Sequence, residues 1–111
     1  MMYTIEKQNR DIALAQEYAR RLRDRLRESL LSITLYGSRA RGDAREGSDF
    51  DLIVRVEADS DAIRDTVHAV AVEMMNEFGE LFVGMVCSED EWRIESNMPL
   101  GWNVARDGVS L

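Results

Sequence analysis

A chain of 111 residues with 45% hydrophobic content fits one domain, expected to span residues 1–111, with room for one core and none for a second lobe. Its net charge of −7 argues against direct nucleic-acid binding, because phosphate backbones select basic surfaces. No stretch is long and apolar enough to span a membrane, and an N-terminus carrying Glu6, Lys7 and Arg10 lacks a signal-peptide core, so no membrane association and a cytoplasmic location are expected.

Residues about 6–30 read as a helix with an apolar stripe of Ile12, Ala15, Ala19, Leu22, Leu26 and Leu30 at steps of three and four. Arg20, Arg21, Arg23, Arg25 and Arg27 fall away from that stripe and read as a solvated face. Residues 31–36 are β-branched and apolar, which predicts a short strand. A turn rich in glycine and charge follows. Residues 49–56 alternate, with Phe50, Leu52, Val54 and Val56 on one face and Asp49, Asp51 and Ile53 on the other. Asp59 or Ser60 caps the next helix, whose stripe is Ile63, Val67, Val70, Met74 and Phe78 and whose stop is Gly79. Residues 81–87 form a third strand. Ser88 and Glu91 have capping-box spacing for a short helix that ends before Pro99, and the tail adds a short strand or packs loosely. The order predicts an α+β fold, a small mixed sheet with helices mainly on one face, leaving the other face to the aspartates.

The segment with chemical content is GSRARGDAREGSDFDL, residues 37–52. Glycine at 37 lets backbone N–H groups approach a triphosphate without a Cβ in the way, and Ser38 adds a hydroxyl donor. Asp49 and Asp51, two apart on a strand, offer two hard oxygen ligands on one face, as Mg²⁺ requires. Arg41 and Ser48 are the further candidates for nucleotide contact, guanidinium being suited to phosphate. Arg39 and Arg45 read rather as solvent-exposed charge. Either feature alone is commonplace; it is their order, with a strand on each side, that points to nucleotidyl transfer.

The same residues resemble the minimal nucleotidyltransferases of the DNA polymerase β superfamily, whose pattern is Gly-Ser, ten residues, then Asp-x-Asp, matched here without a gap from Gly37 to Asp51. The resemblance implies the polymerase-β-like nucleotidyltransferase fold. It assigns Gly37 and Ser38 to an ATP triphosphate, and Asp49 and Asp51 to catalysis through one or two Mg²⁺. It also implies a partner: many such proteins pair with a HEPN-domain toxin and act as its antitoxin, in some systems by AMPylating a tyrosine. The departure is a missing third carboxylate. The position expected to carry it aligns near Val83, and Glu80, just before the third strand, is the one acid that could replace it. Two other readings stay open: a binding module that blocks its partner sterically, and a small-molecule nucleotidyltransferase of the aminoglycoside type.

Other candidates take plainer roles. Cys87 reads as a buried, inert thiol and excludes an internal disulfide; His68 reads as structural or solvated. No His/Cys cluster suits zinc, and the loop lacks the Gly-Lys-Ser/Thr ending of a P-loop.

Overall fold

The computed structural model describes residues 4–111. Helix α1 (Ile5–Leu26) leads into strand β1 (Leu30–Tyr36), followed by the single turn α2 (Ser38–Arg41), strand β2 (Phe50–Val56), helix α3 (Asp61–Phe78) and strand β3 (Phe82–Ser88). Helices α4 (Glu89–Glu95) and α5 (Pro99–Asp107) and the two-residue strand β4 (Val109–Ser110) complete the chain. The sheet order is β3-β2-β1-β4. Strand β1 runs antiparallel to β2 and β4, whereas β2 and β3 are parallel and joined by the α3 crossover. Among the described residues no helix is long and apolar enough to cross a membrane.

The core lies where α1 and α3 cover one face of the sheet. Phe50, Leu52, Val54 and Val56 meet Leu14, Ala15, Tyr18, Ala19 and Leu22 of α1 and Val67, Val70 and Met74 of α3. Tyr18, Phe82 and Phe50 form a three-ring stack, with centroids 5.1 and 4.3 Å apart. Caps fix the helix ends: Thr4 and Ser60 accept from the first turns of α1 and α3, and Ser88 and Glu91 form the expected capping box of α4. Gly79 ends α3 at a φ of 70°.

Three features depart from the sequence reading. Arg27 ends α1 at a φ of 50° and a 3₁₀ turn follows, so Leu30 opens β1 instead of closing the helical stripe. The arginines of α1 are not all a solvated face: Arg21 pairs with Glu73 and Glu77 of α3 at 3.2 and 2.5 Å, and Arg25 pairs with Glu73 at 2.7 Å. Finally, Pro99 starts a helix. With no N–H to lose, proline suits the first helical turn, and α5 buries Gly101 and Val104. Helices α4 and α5 pack against the second face of the sheet, where Arg55 bonds Glu89 at 2.8 Å and lies over the Trp92 ring. The end of that face where β1 finishes and β2 begins is open: Asp49 is exposed and Val83 is 44% exposed.

Gly84 of β3 is required by the ring stack. A Cβ there would lie 2.3 Å from the Tyr18 hydroxyl, which finds no hydrogen-bond partner among the described residues. Gly84→Ala is expected to destabilise the fold by about 1–3 kcal/mol through overpacking. Tyr18→Phe, which removes the clashing oxygen, should recover most of that loss in the double variant. Thermal melts of the two single variants and the double variant check this; additive effects would contradict it.

Candidate active site

The open end of the second face is where β1 hands the chain to α2. Tyr36, the last residue of β1, is directly opposite Asp51 in the antiparallel register. Gly37 then turns at φ 76° and ψ −159°, a conformation that strains any residue with a Cβ. Its carbonyl accepts from the N–H groups of Ala40 and Arg41, closing the single turn of α2 with Ser38 at its start. The N–H groups of Ser38 and Arg39 have no acceptor within that turn, as at any helix start. Gly42, at φ 82°, ends the turn.

The turn comes down on the Asp51 carboxylate. A Cβ on Gly37 would lie 2.8 Å from Asp51 Oδ2. Two segments fourteen positions apart in sequence are thus in contact, and a side chain at 37 would fill the space between them. Burial pushes the Asp51 carboxyl above its ordinary range; the neighbouring charge of Asp49 pushes the same way, and Arg41 opposes both. Burial, with the charge of Asp51, likewise raises the Tyr36 phenol. The site therefore holds two carboxylates that repel each other, beside a backbone with nothing but hydrogen at Cα.

The remaining expected residues divide into two groups. Arg41 ends α2 close enough to act on Asp51, with its guanidinium 3.1 Å from Asp43 and 3.8 Å from Asp107 of α5. Ser48 immediately precedes Asp49. Its hydroxyl accepts from the Arg45 N–H at 3.0 Å, which closes the loop on itself. Glu80, by contrast, is not brought to the aspartates. It bonds Arg39 at 3.2 Å and Arg10 at 3.4 Å, on the α1 side of the sheet. The residue beside Asp51 on β3 is Val83, paired with it in register and 44% exposed. Among the described residues no group of three or more His, Cys, Asp or Glu side chains is arranged to hold a metal.

Arg39 is where sequence reasoning failed. Expected in solvent, it is 5% exposed and donates to both oxygens of Asp11 at 3.1 Å, to the Ser48 carbonyl at 3.2 and 2.8 Å, and to Glu80. It also lies 4.5 Å over the Phe50 ring. The missed signal is Asp11, an acid four residues before Ala15 on the apolar stripe of α1, since a carboxylate on a buried face calls for a buried cation. Burial raises the Asp11 carboxyl, and the Arg39 hydrogen bond works against that rise.

The fold is that of the nucleotidyltransferases. Residues 16–95 match the nucleotidyltransferase domain family, and the chain belongs to it. A Methanocaldococcus jannaschii protein named as a candidate protein adenylyltransferase is 28% identical over 96 residues, 86% of this chain and 92% of that protein. A Sulfolobus solfataricus structure described as a candidate nucleotidyltransferase superposes with a TM-score of 0.62 at 22% identity, over 96% of this chain and 83% of that one. A toxin–antitoxin structure with AMP-PNP gives 0.61 at 18% identity, over 86% and 70%. The toxin–antitoxin MntA-HpeT gives 0.61 at 21%, over 87% and 70%.

The electrostatics of Asp51 give a test by pH. Its folded pKa lies above the unfolded value of about 3.9, so the fold favours the protonated acid and loses stability as pH rises through the raised value. In chelator-treated protein, Asp51→Asn is expected to raise the melting temperature at neutral pH. The gain should shrink to nothing below about pH 3, where the wild-type acid is neutral in both states. A melting temperature lowered at neutral pH would contradict this.

Proposed function

We propose that this nucleotidyltransferase moves AMP from ATP to a tyrosine hydroxyl of a HEPN-type toxin, and so serves as that toxin's antitoxin. The observation that carries the reading is the close approach of the Gly37 backbone to the Asp51 carboxylate, which sets a backbone turn beside a pair of acids. The donor set is oxygen only and its charges repel, which suits a hard divalent cation; Asp49 and Asp51 would hold Mg²⁺. Bound there, Mg²⁺ would supply charge neutralisation on the phosphates. The N–H groups that open α2 and the Ser38 hydroxyl would bind the triphosphate, and Arg41 would add a cation beside it.

Val83 bears on the acceptor. It lies near the position where the resemblance puts a third acid, and its exposed apolar side chain borders Asp51. A site without that base favours an acceptor that ionises readily. A phenol, with a pKa of about 10, gives up its proton far more easily than an aliphatic hydroxyl. An aromatic ring also suits an apolar border. In the reaction the phenol oxygen bonds the α-phosphorus, the bond to the bridging oxygen breaks, pyrophosphate leaves and the phenol proton passes to water. The MntA-HpeT and AMP-PNP-bound neighbours support a toxin as the partner, and the M. jannaschii relative supports a protein acceptor.

The same Val83 favours a second reading, in which the chain binds nucleotide but silences its partner by contact alone. Incubation with ATP, Mg²⁺ and the candidate toxin, followed by intact-mass and peptide analysis, separates the two. Transfer is expected to add one AMP per modified tyrosine and to fall at least about 10²-fold in Asp49→Asn/Asp51→Asn. Neutralisation of the toxin by that double variant, without any mass shift, would support steric blocking instead.

A further inference from the structure

We propose that Arg39 is a positioning residue, which sets the Gly37–Ser38 turn and the Asp49–Asp51 pair at their working separation. The inference rests on the nucleotidyl-transfer reading above. Arg39 belongs to α2, one residue after Ser38, so its backbone moves with the turn. Its guanidinium reaches the other half of the site, because the Ser48 carbonyl accepts from both Nε and Nη2, and Ser48 is bonded covalently to Asp49. The remaining donors fix the cation to the scaffold: Nη1 to Asp11 of α1, and Nη2 to Glu80 ahead of β3. The Phe50 ring, at the start of β2, forms its floor.

The energetics favour positioning over stability as the role. A buried ion pair loses in desolvation much of what it gains in attraction, and an apolar cluster of similar volume would stabilise the fold as well. What apolar side chains cannot do is bind a loop carbonyl in a fixed direction. Two hydrogen bonds at the Ser48 end of the loop between Gly42 and Asp49 stay within it, Ser48 N–H to the Arg45 carbonyl and Arg45 N–H to the Ser48 hydroxyl. Those close the loop on itself and do not anchor it to α1. The planar fork of arginine spans Ser48, Asp11 and Glu80 at once. A lysine in its place would keep the charge against Asp11 but, as a point cation, would lose the simultaneous grip on the Ser48 carbonyl.

The test compares Mg²⁺-dependent ATP affinity, by calorimetry with and without Mg²⁺, in wild type, Arg39→Lys, Asp11→Asn, Asp49→Asn/Asp51→Asn and a core control, Leu22→Ala. Leu22 is fully buried on α1 and takes no part in the cluster, so the control lowers stability without touching the site. At a temperature where all remain folded, Arg39→Lys is expected to weaken Mg²⁺-dependent binding by roughly 10–100-fold, the range for losing a partner that orients a ligand. Asp11→Asn should weaken it less, and Leu22→Ala not at all, whatever their melting temperatures. Should Arg39→Lys not fold, Asp11→Asn and Glu80→Gln carry the comparison. Wild-type affinity in the cluster variants, or equal loss in Leu22→Ala, would overturn the positioning role while leaving nucleotidyl transfer intact. If wild type shows no Mg²⁺-dependent binding, or the aspartate double variant retains it, the nucleotidyl-transfer reading itself fails and the inference falls with it.

Discussion

The approach of the Gly37 backbone to the Asp51 carboxylate is the constraint on which the rest of the site depends. It demands a residue without a Cβ at a positive φ, directly after a strand. It also demands that β1 and β2 be antiparallel neighbours in the register that sets Tyr36 opposite Asp51. A shift of one residue would turn both aspartates into the core, since side chains alternate along a strand. The register is held by Phe50, Leu52, Val54 and Val56, all buried against α1 and α3. The core thus acts on the chemistry through alternation: filling one face of β2 is what presents the acids on the other.

The site is built at some cost to the fold. Asp51 is half-buried beside a second carboxylate, a placement that disfavours its charged form. The Arg39–Asp11 pair is buried where apolar groups would serve stability at least as well. Both placements become intelligible once a cation and a polyphosphate are expected at this end of the sheet. A cation would relieve the repulsion between the aspartates, and the guanidinium bonds the Ser48 carbonyl next to Asp49. Unfavourable charge gathered at one end of the sheet is the pattern of a functional site.

Much of this was legible in the sequence. Alternation along 49–56 separates acids from core residues. The Ser88/Glu91 capping box and the Gly79 stop are local signals, decided within a few residues, and the structure contains both. The α+β fold was legible in the order of the elements, and the family in the Gly-Ser and Asp-x-Asp spacing; the nucleotidyltransferase domain family matches residues 16–95. What escaped was long-range. Arg39 and Asp11 are 28 positions apart, and nothing local distinguishes Arg39 from the exposed arginines beside it. Glu80 looked available for metal because sequence places it near the third strand; the structure commits it to Arg39 and Arg10. Helix α5 was missed because Pro99 reads as a stop when its place in the first turn of a helix is not considered. The roles of Gly37, Ser38, Arg41, Ser48, Asp49 and Asp51 remain proposals resting on their geometry.

The most direct test of the central claim is a calorimetric titration of ATP into the purified chain with and without Mg²⁺, beside Asp49→Asn/Asp51→Asn. The account expects binding that strengthens with Mg²⁺ in the wild type and loses that dependence in the double variant, with both proteins folded by circular dichroism. Nucleotide binding that is indifferent to Mg²⁺ and to both aspartates would contradict it.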